Sequence, residues 1–231
     1  MKKHPCTTTW VIGILCCGWL LVGCDDADQP TSQGPNQDVA KPTVEPEIRI
    51  AQKTVLKLKS SAIVAAARDQ IGKTKRYDPS YVPLEYPGGD VPIRKGVCTD
   101  VVVRALRDAF DMDLQKLVHE DMTAAFSAYP KIWGLKKPDR NIDHRRVPNV
   151  RRYFERKGYS ISVTKNKEDY LPGDLVSCAM RPNEPHIMIV SDRKARDGTP
   201  LVIHNIGRGT KENNRLFEFP ITGHYRIWTV D

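Results

Sequence analysis

Cysteine is scarce in the body of this chain. Four of its six cysteines, Cys6, Cys16, Cys17 and Cys24, crowd the first 24 residues, and only Cys98 and Cys178 follow. Two thiols cannot make a disulfide framework, so the domain must rest on an ordinary core. A single Cys98–Cys178 bridge is the most it can form. Zinc-finger spacings are absent, and so is an arginine-rich tail. Nucleic acid is therefore not an expected partner, although the formal net charge is +8. A basic surface also suits wall polymer or anionic lipid. No His-x-x-x-His or Glu-x-x-His spacing occurs. A metal site built from Asp143, His144, His186 and His204 is thus disfavoured, and no cofactor is expected. Internal repeats are lacking too.

What is present begins with an export pattern. Lys2 and Lys3 precede an apolar run from Trp10 to Val22, which is of secretory length and short for a membrane span. The run ends Leu21-Val22-Gly23-Cys24. This order resembles the bacterial lipoprotein signal. The resemblance implies a signal peptide over 1–23, lipidation of Cys24 and a membrane anchor through its acyl chains. Asp25 after the cysteine implies an inner-membrane lipoprotein facing the periplasm. Residues 24–50, with Pro30, Pro35, Pro42 and Pro46 among polar residues, read as a disordered tether.

The remaining 51–231 are long enough for one domain with a real core. Ser60 or Ser61 is expected to cap a helix with Ile63, Val64, Ala67 and Ile71 on one face, ended by Gly72. A Pro- and Gly-rich loop leads from Tyr77 to Pro92. Cys98 then opens an apolar-periodic helix, and residues 111–128 are a second helical stretch. Val150 to Lys157 is a short helix stopped by Gly158. From Leu171 the pattern turns to strands: 175–180, 186–190, 201–205, 215–220 and 224–230. Helices first and consecutive antiparallel strands after them read as α+β.

Cys98 at a first helical turn, beside unpaired N–H groups and the helix dipole, is placed to be a thiolate nucleophile. Such a thiolate needs a base. His186 opens one strand and His204 ends the next, so a hairpin would put both imidazoles at one end of the sheet. Asn141 to Arg146 gathers Asp143, His144, Arg145 and Arg146, which can grip a carboxylate or pair with local acids.

These pieces in order, Ile71-Gly72, Gly88-Gly89, Cys98, Pro172-Gly173-Asp174-Leu175, His186 and His204, resemble the NlpC-type papain-like cysteine peptidases of bacterial cell walls. That resemblance implies a papain-like fold, with Cys98 as nucleophile, His186 as general base and His204 as the residue that orients it. Asn205 or Asp192 could replace His204. Closer wording, Gly-Val-Cys-Thr-Asp, Asn-Ile-Asp-His-Arg-Arg-Val, His-Ile-Met-Ile-Val-Ser-Asp and His-Asn-Ile-Gly, resembles a bacterial family named domain of unknown function 1287.

The expected activity is hydrolysis of an amide bond in a peptidoglycan fragment or stem peptide, by a protein tethered to the membrane. Tyr77, Asp143, His144, Arg145, Arg146 and Asn205 are the expected substrate-binding residues, with Tyr77 or Tyr81 as a second oxyanion donor beside the Cys98 N–H. The alternatives are a non-catalytic wall- or partner-binding module and a thiol acyltransferase.

Overall fold

The computed structural model describes residues 44–229. The expected signal segment, Cys24 and most of the tether lie outside them. Among the described residues no helix is long and apolar enough to cross a membrane.

The first helix, α1, runs Val44–Asp69. It begins well before Ser60 or Ser61, so residues 44–50 are helical and not tether. Pro46 stands in the first turn, where no intrahelical N–H is needed, and Glu45 and Glu47 favour that end. Its last turns reach the core through Ile63, Val64 and Ala67, with Leu56 partly buried against it from the turn before. Ile71, expected on the buried face, falls past the helix end and is exposed.

Two short strands follow, β1 (Arg76–Tyr77) and β2 (Lys95–Gly96), paired in parallel. They bracket the Pro-rich loop and deliver the chain to α2 (Cys98–Phe110), as the periodicity predicts. Every residue of α2 from Cys98 to Leu106 is buried. Around it lie α1, α3 (Leu114–Ala124), α4 (Val147–Arg156) and one face of the sheet.

The sheet has six antiparallel strands: β3 (Ser160–Ile161), β4 (Leu175–Arg181), β5 (Glu184–Lys194), β6 (Pro200–Asn205), β7 (Thr210–Asn213) and β8 (Ile221–Tyr225). Their spatial order is β3-β8-β4-β5-β6-β7. The α+β expectation holds at this level. Period-two alternation splits the apolar residues between two faces. Leu175, Ile187, Ile189, Ile203 and Tyr225 meet the helices. Val176, Cys178, Met188, Val190 and Val202 form a second cluster, covered by Tyr170 and Leu216.

The last strands differ from expectation. Residues 215–220 are not a strand; Leu216 and Phe219 instead fold over the second cluster. The strand expected at 224–230 is β8 and ends at Tyr225. The strand ahead of them, β7, is all polar and carries no apolar alternation to reveal it.

Gly223 in β8 illustrates how tightly α4 meets the sheet. A Cβ there would stand 2.2 Å from the Tyr225 hydroxyl and 2.8 Å from Ser177 Oγ. Tyr225 is itself held, by Arg151 Nε at 3.3 Å and by packing on Phe154. Gly223→Ala is therefore expected to lower unfolding stability by about 1–3 kcal/mol, as overpacking does. Urea denaturation checks this, and an unchanged midpoint would refute it.

Candidate active site

The Gly96 to Asp100 motif is a built helix start. Gly96 closes β2 and has no room for a side chain, since a Cβ would lie 2.9 Å from Asp100 Oδ2. Asp100 reaches back to accept the Val97 N–H at 2.6 Å, which satisfies an orphan donor at the helix end. Thr99 Oγ1 donates to the Arg145 carbonyl at 2.9 Å. Arg145 in turn forks onto both Asp100 oxygens at 2.9 and 3.0 Å. The two motifs, Cys98-Thr99-Asp100 and Asp143-His144-Arg145-Arg146, are thus docked on each other. Asn205 braces the other side by donating to the Gly96 carbonyl at 2.9 Å and the Arg76 carbonyl at 3.3 Å.

Cys98 is the first residue of α2 and lines an open groove of about 460 Å³. Tyr77, Trp133, Arg146 and Pro185 line it too. A second hollow of about 420 Å³ adjoins it and shares Ile132, Trp133, Pro148, Asn183 and Pro185. The Arg146 guanidinium lies 4.2 Å over the Trp133 ring and pairs with Asp143 at 3.1 Å. Cys98 and Cys178 are both free and buried, and no bridge joins them.

The sulfur does not have the electrostatics expected of a helix-start thiolate. Burial pushes the thiol up to about 11, and Asp100 adds to this. The backbone N–H groups of Ile187, Thr99 and Cys98 itself favour the thiolate, but burial outweighs them. Alkylation by iodoacetamide is accordingly expected to rise about tenfold per pH unit from pH 8 to 10. A rate already level at pH 7 would mean a standing thiolate and would overturn this.

The Ile187 N–H brings the sulfur against the residue that follows His186. His186 pairs across the strands with Cys178 and shares the sheet face of Met188, whereas Ile187 faces the helices. No hydrogen bond joins Cys98 to His186 among the described residues. Cys98 packs with the helices while the His186 ring lies on the opposite face of the sheet, so the strand itself separates thiol from imidazole, unlike the direct contact expected of a nucleophile and its base. His186 Nε2 lies 2.7 Å from His204 Nδ1, and His204 Nε2 lies 2.9 Å from Asn213 Oδ1. Burial, with His204 and Arg215 nearby, lowers His186 to about 3, so its imidazole is neutral. Burial also lowers His204.

The two rivals to His204 have other partners. Asn205 is spent on backbone carbonyls, and Asp192 sits with Arg68 and Ser191 at the end of β5. The expected substrate residues divide similarly. Tyr77 and Arg146 face the groove, and burial together with the adjacent Cys98 sulfur raises the Tyr77 phenol. Tyr81 also lines it, bonded to Asn141 at 2.8 Å. Asp143 and His144 are buried, and burial lowers His144 to about 4. Arg145 touches the groove, but its guanidinium is committed to Asp100 and to the carbonyls of Asp78 and Ser80. Asn213, on polar β7, has no sequence signal that would single it out.

The model of a family described as domain of unknown function (DUF1287) matches residues 64–227. An uncharacterized protein of Escherichia coli strain K12, YijF, is 56% identical over 167 residues, covering 72% of this chain and 81% of that protein. The stretch matched to the family spans α2, the Asp143–Arg145 turn and all three members of the His186–His204–Asn213 chain, so the chain belongs to the DUF1287 family.

Proposed function

We propose that this protein is a cysteine hydrolase with an NlpC-like, papain-like arrangement that cuts an amide bond, in peptidoglycan stem peptides. One observation carries the reading. A cysteine begins a buried helix on the floor of a groove, beside a strand whose first buried histidine is bonded to a second. Cys98 Sγ attacks the carbonyl carbon while the thiol proton passes through a water around the start of β5 to His186, whose ring lies on the other face of the sheet. The tetrahedral oxyanion meets the Cys98 N–H at the helix start. His186 returns the proton to the leaving amine, and an acyl-enzyme remains. Water, deprotonated by His186, then releases the acid and restores the thiol. Arg146, held over the Trp133 ring with donors beyond its Asp143 bond, is the residue that reaches a substrate carboxylate.

The lipoprotein-like N-terminus supports a periplasmic protein tethered to the inner membrane, where wall peptides are at hand. Burial of Cys98 favours a second reading, a binding module that holds wall without cutting it. Mass spectrometry of purified wall fragments, incubated with the wild type and with Cys98→Ala, separates the two. New fragments from the wild type alone support the hydrolase and name the bond. Fragments from both proteins would overturn it, and retention without release would favour the binding module.

A further inference from the structure

The chain His186–His204–Asn213 has a direction, and its far end sets it. A neutral imidazole has one donor nitrogen and one acceptor nitrogen. Asn213 offers its amide oxygen, an acceptor only, to His204 Nε2 at 2.9 Å. His204 Nε2 must then carry the proton, which leaves His204 Nδ1 as an acceptor. Nδ1 stands 2.7 Å from His186 Nε2, so that atom is the donor. By elimination His186 Nδ1 holds the lone pair. We propose that Asn213 is a positioning residue that fixes the tautomers of both histidines, so that His186 Nδ1 is the basic nitrogen.

The surroundings give no other source of this order. Both imidazoles are buried and meet nearly edge to face, with centroids 5.0 Å apart. Cys178 lies opposite His186 on β4, and Lys211 lies opposite His204 on β7. Arg215 and Glu218, from the segment after β7, face the pair with opposite signs. None of these hydrogen-bonds either ring among the described residues. An asparagine does so without adding charge, so the pair stays neutral. The opposite polarity would put the proton on His186 Nδ1, and that nitrogen could not accept one from a thiol. This catalytic consequence rests on the hydrolase reading; the tautomer assignment does not.

The test is nitrogen-15 NMR of the histidine rings in the full chain at pH 7. Both histidines are expected as the Nε2–H tautomer. A single Nδ1–H tautomer at either ring overturns the proposal. In Asn213→Leu, with the acceptor gone, His204 is expected to populate both tautomers; unchanged single tautomers overturn the role of Asn213. Asn213→Asp covers the case in which leucine unfolds the protein. Its carboxylate keeps the acceptor but adds a negative charge, which favours the charged imidazolium. The titration of His204 should then move up by at least about one pH unit. No movement overturns the proposal. Wall release by Asn213→Leu should fall about 100-fold in kcat with little change in KM, the lower end of what a positioned base supplies. Expected tautomers in a protein that releases no wall fragments support this proposal and remove the hydrolase reading.

Discussion

Cys98→Ala is expected to stop release of wall fragments, a loss on the order of 10⁶-fold if nucleophile and base act as one unit. His186→Ala should cost about as much, because a buried thiol near 11 does not ionise unaided at neutral pH. The double variant should then be no worse than either single one. That non-additivity is the sharper half of the prediction. Two residues contributing independently would give a double loss equal to the product of the single losses. Initial rates of fragment release by the three variants decide it. Thermal unfolding must accompany them, since both side chains are buried. The proposed role fails if Cys98→Ala folds normally and keeps wild-type release. The pH profile bears on the same point. A neutral thiol–imidazole pair loses activity on the acid side only when His186 takes a proton, and His186 is held down to about 3. Release should therefore not drop between pH 7 and 5 on account of His186.

The sequence exposes those features that depend on local pattern. Glycine before a cysteine, then apolar residues at helical spacing, locates the start of α2 to the residue. The turn at Asn183, with φ +66, lies between two apolar runs that become β4 and β5. Features that depend on long-range partners are hidden. The length of α1 is one, because its first turns bury nothing and Pro46 looks like a breaker. Residues 215–220 are another, since Leu216 and Phe219 are apolar enough for a strand yet serve as cover. Asn213 belongs here too, as only the β6–β7 register, with Val202 opposite Asn213, brings it beside His204. Arg145 and Arg146 are adjacent in sequence and opposite in role. The 3-10 turn at Asp143–Arg145 sends one toward Asp100 and the other toward the groove. Composition could not distinguish them.

That division yields the largest expected effect on stability. Arg145→Ala leaves the Asp100 carboxylate buried at the start of α2 without its partner, and should cost about 3–5 kcal/mol. The side chains are only 2% and 3% exposed, so water cannot take the place of the guanidinium. Two carbonyls, of Asp78 and Ser80, lose their donors as well. Arg145→Lys should recover little, because an ammonium cannot reach both carboxylate oxygens and both carbonyls at once. Arg146→Ala is the control. Asp143 is only 1% exposed but keeps the Asp139 N–H and the Asn149 amide, so stability should fall by less, about 1–3 kcal/mol, while KM for wall fragments rises. Urea unfolding of the three variants tests this, and an Arg145→Ala protein as stable as wild type would refute it. Removing both charges, as Asp100→Leu with Arg145→Leu, avoids a buried lone charge. Yet Asp100 also holds the Val97 N–H at 2.6 Å, so the double variant should remain below wild type. The shortfall measures how much the pair contributes by fixing the backbone on which Cys98 sits, beyond the attraction of its two charges.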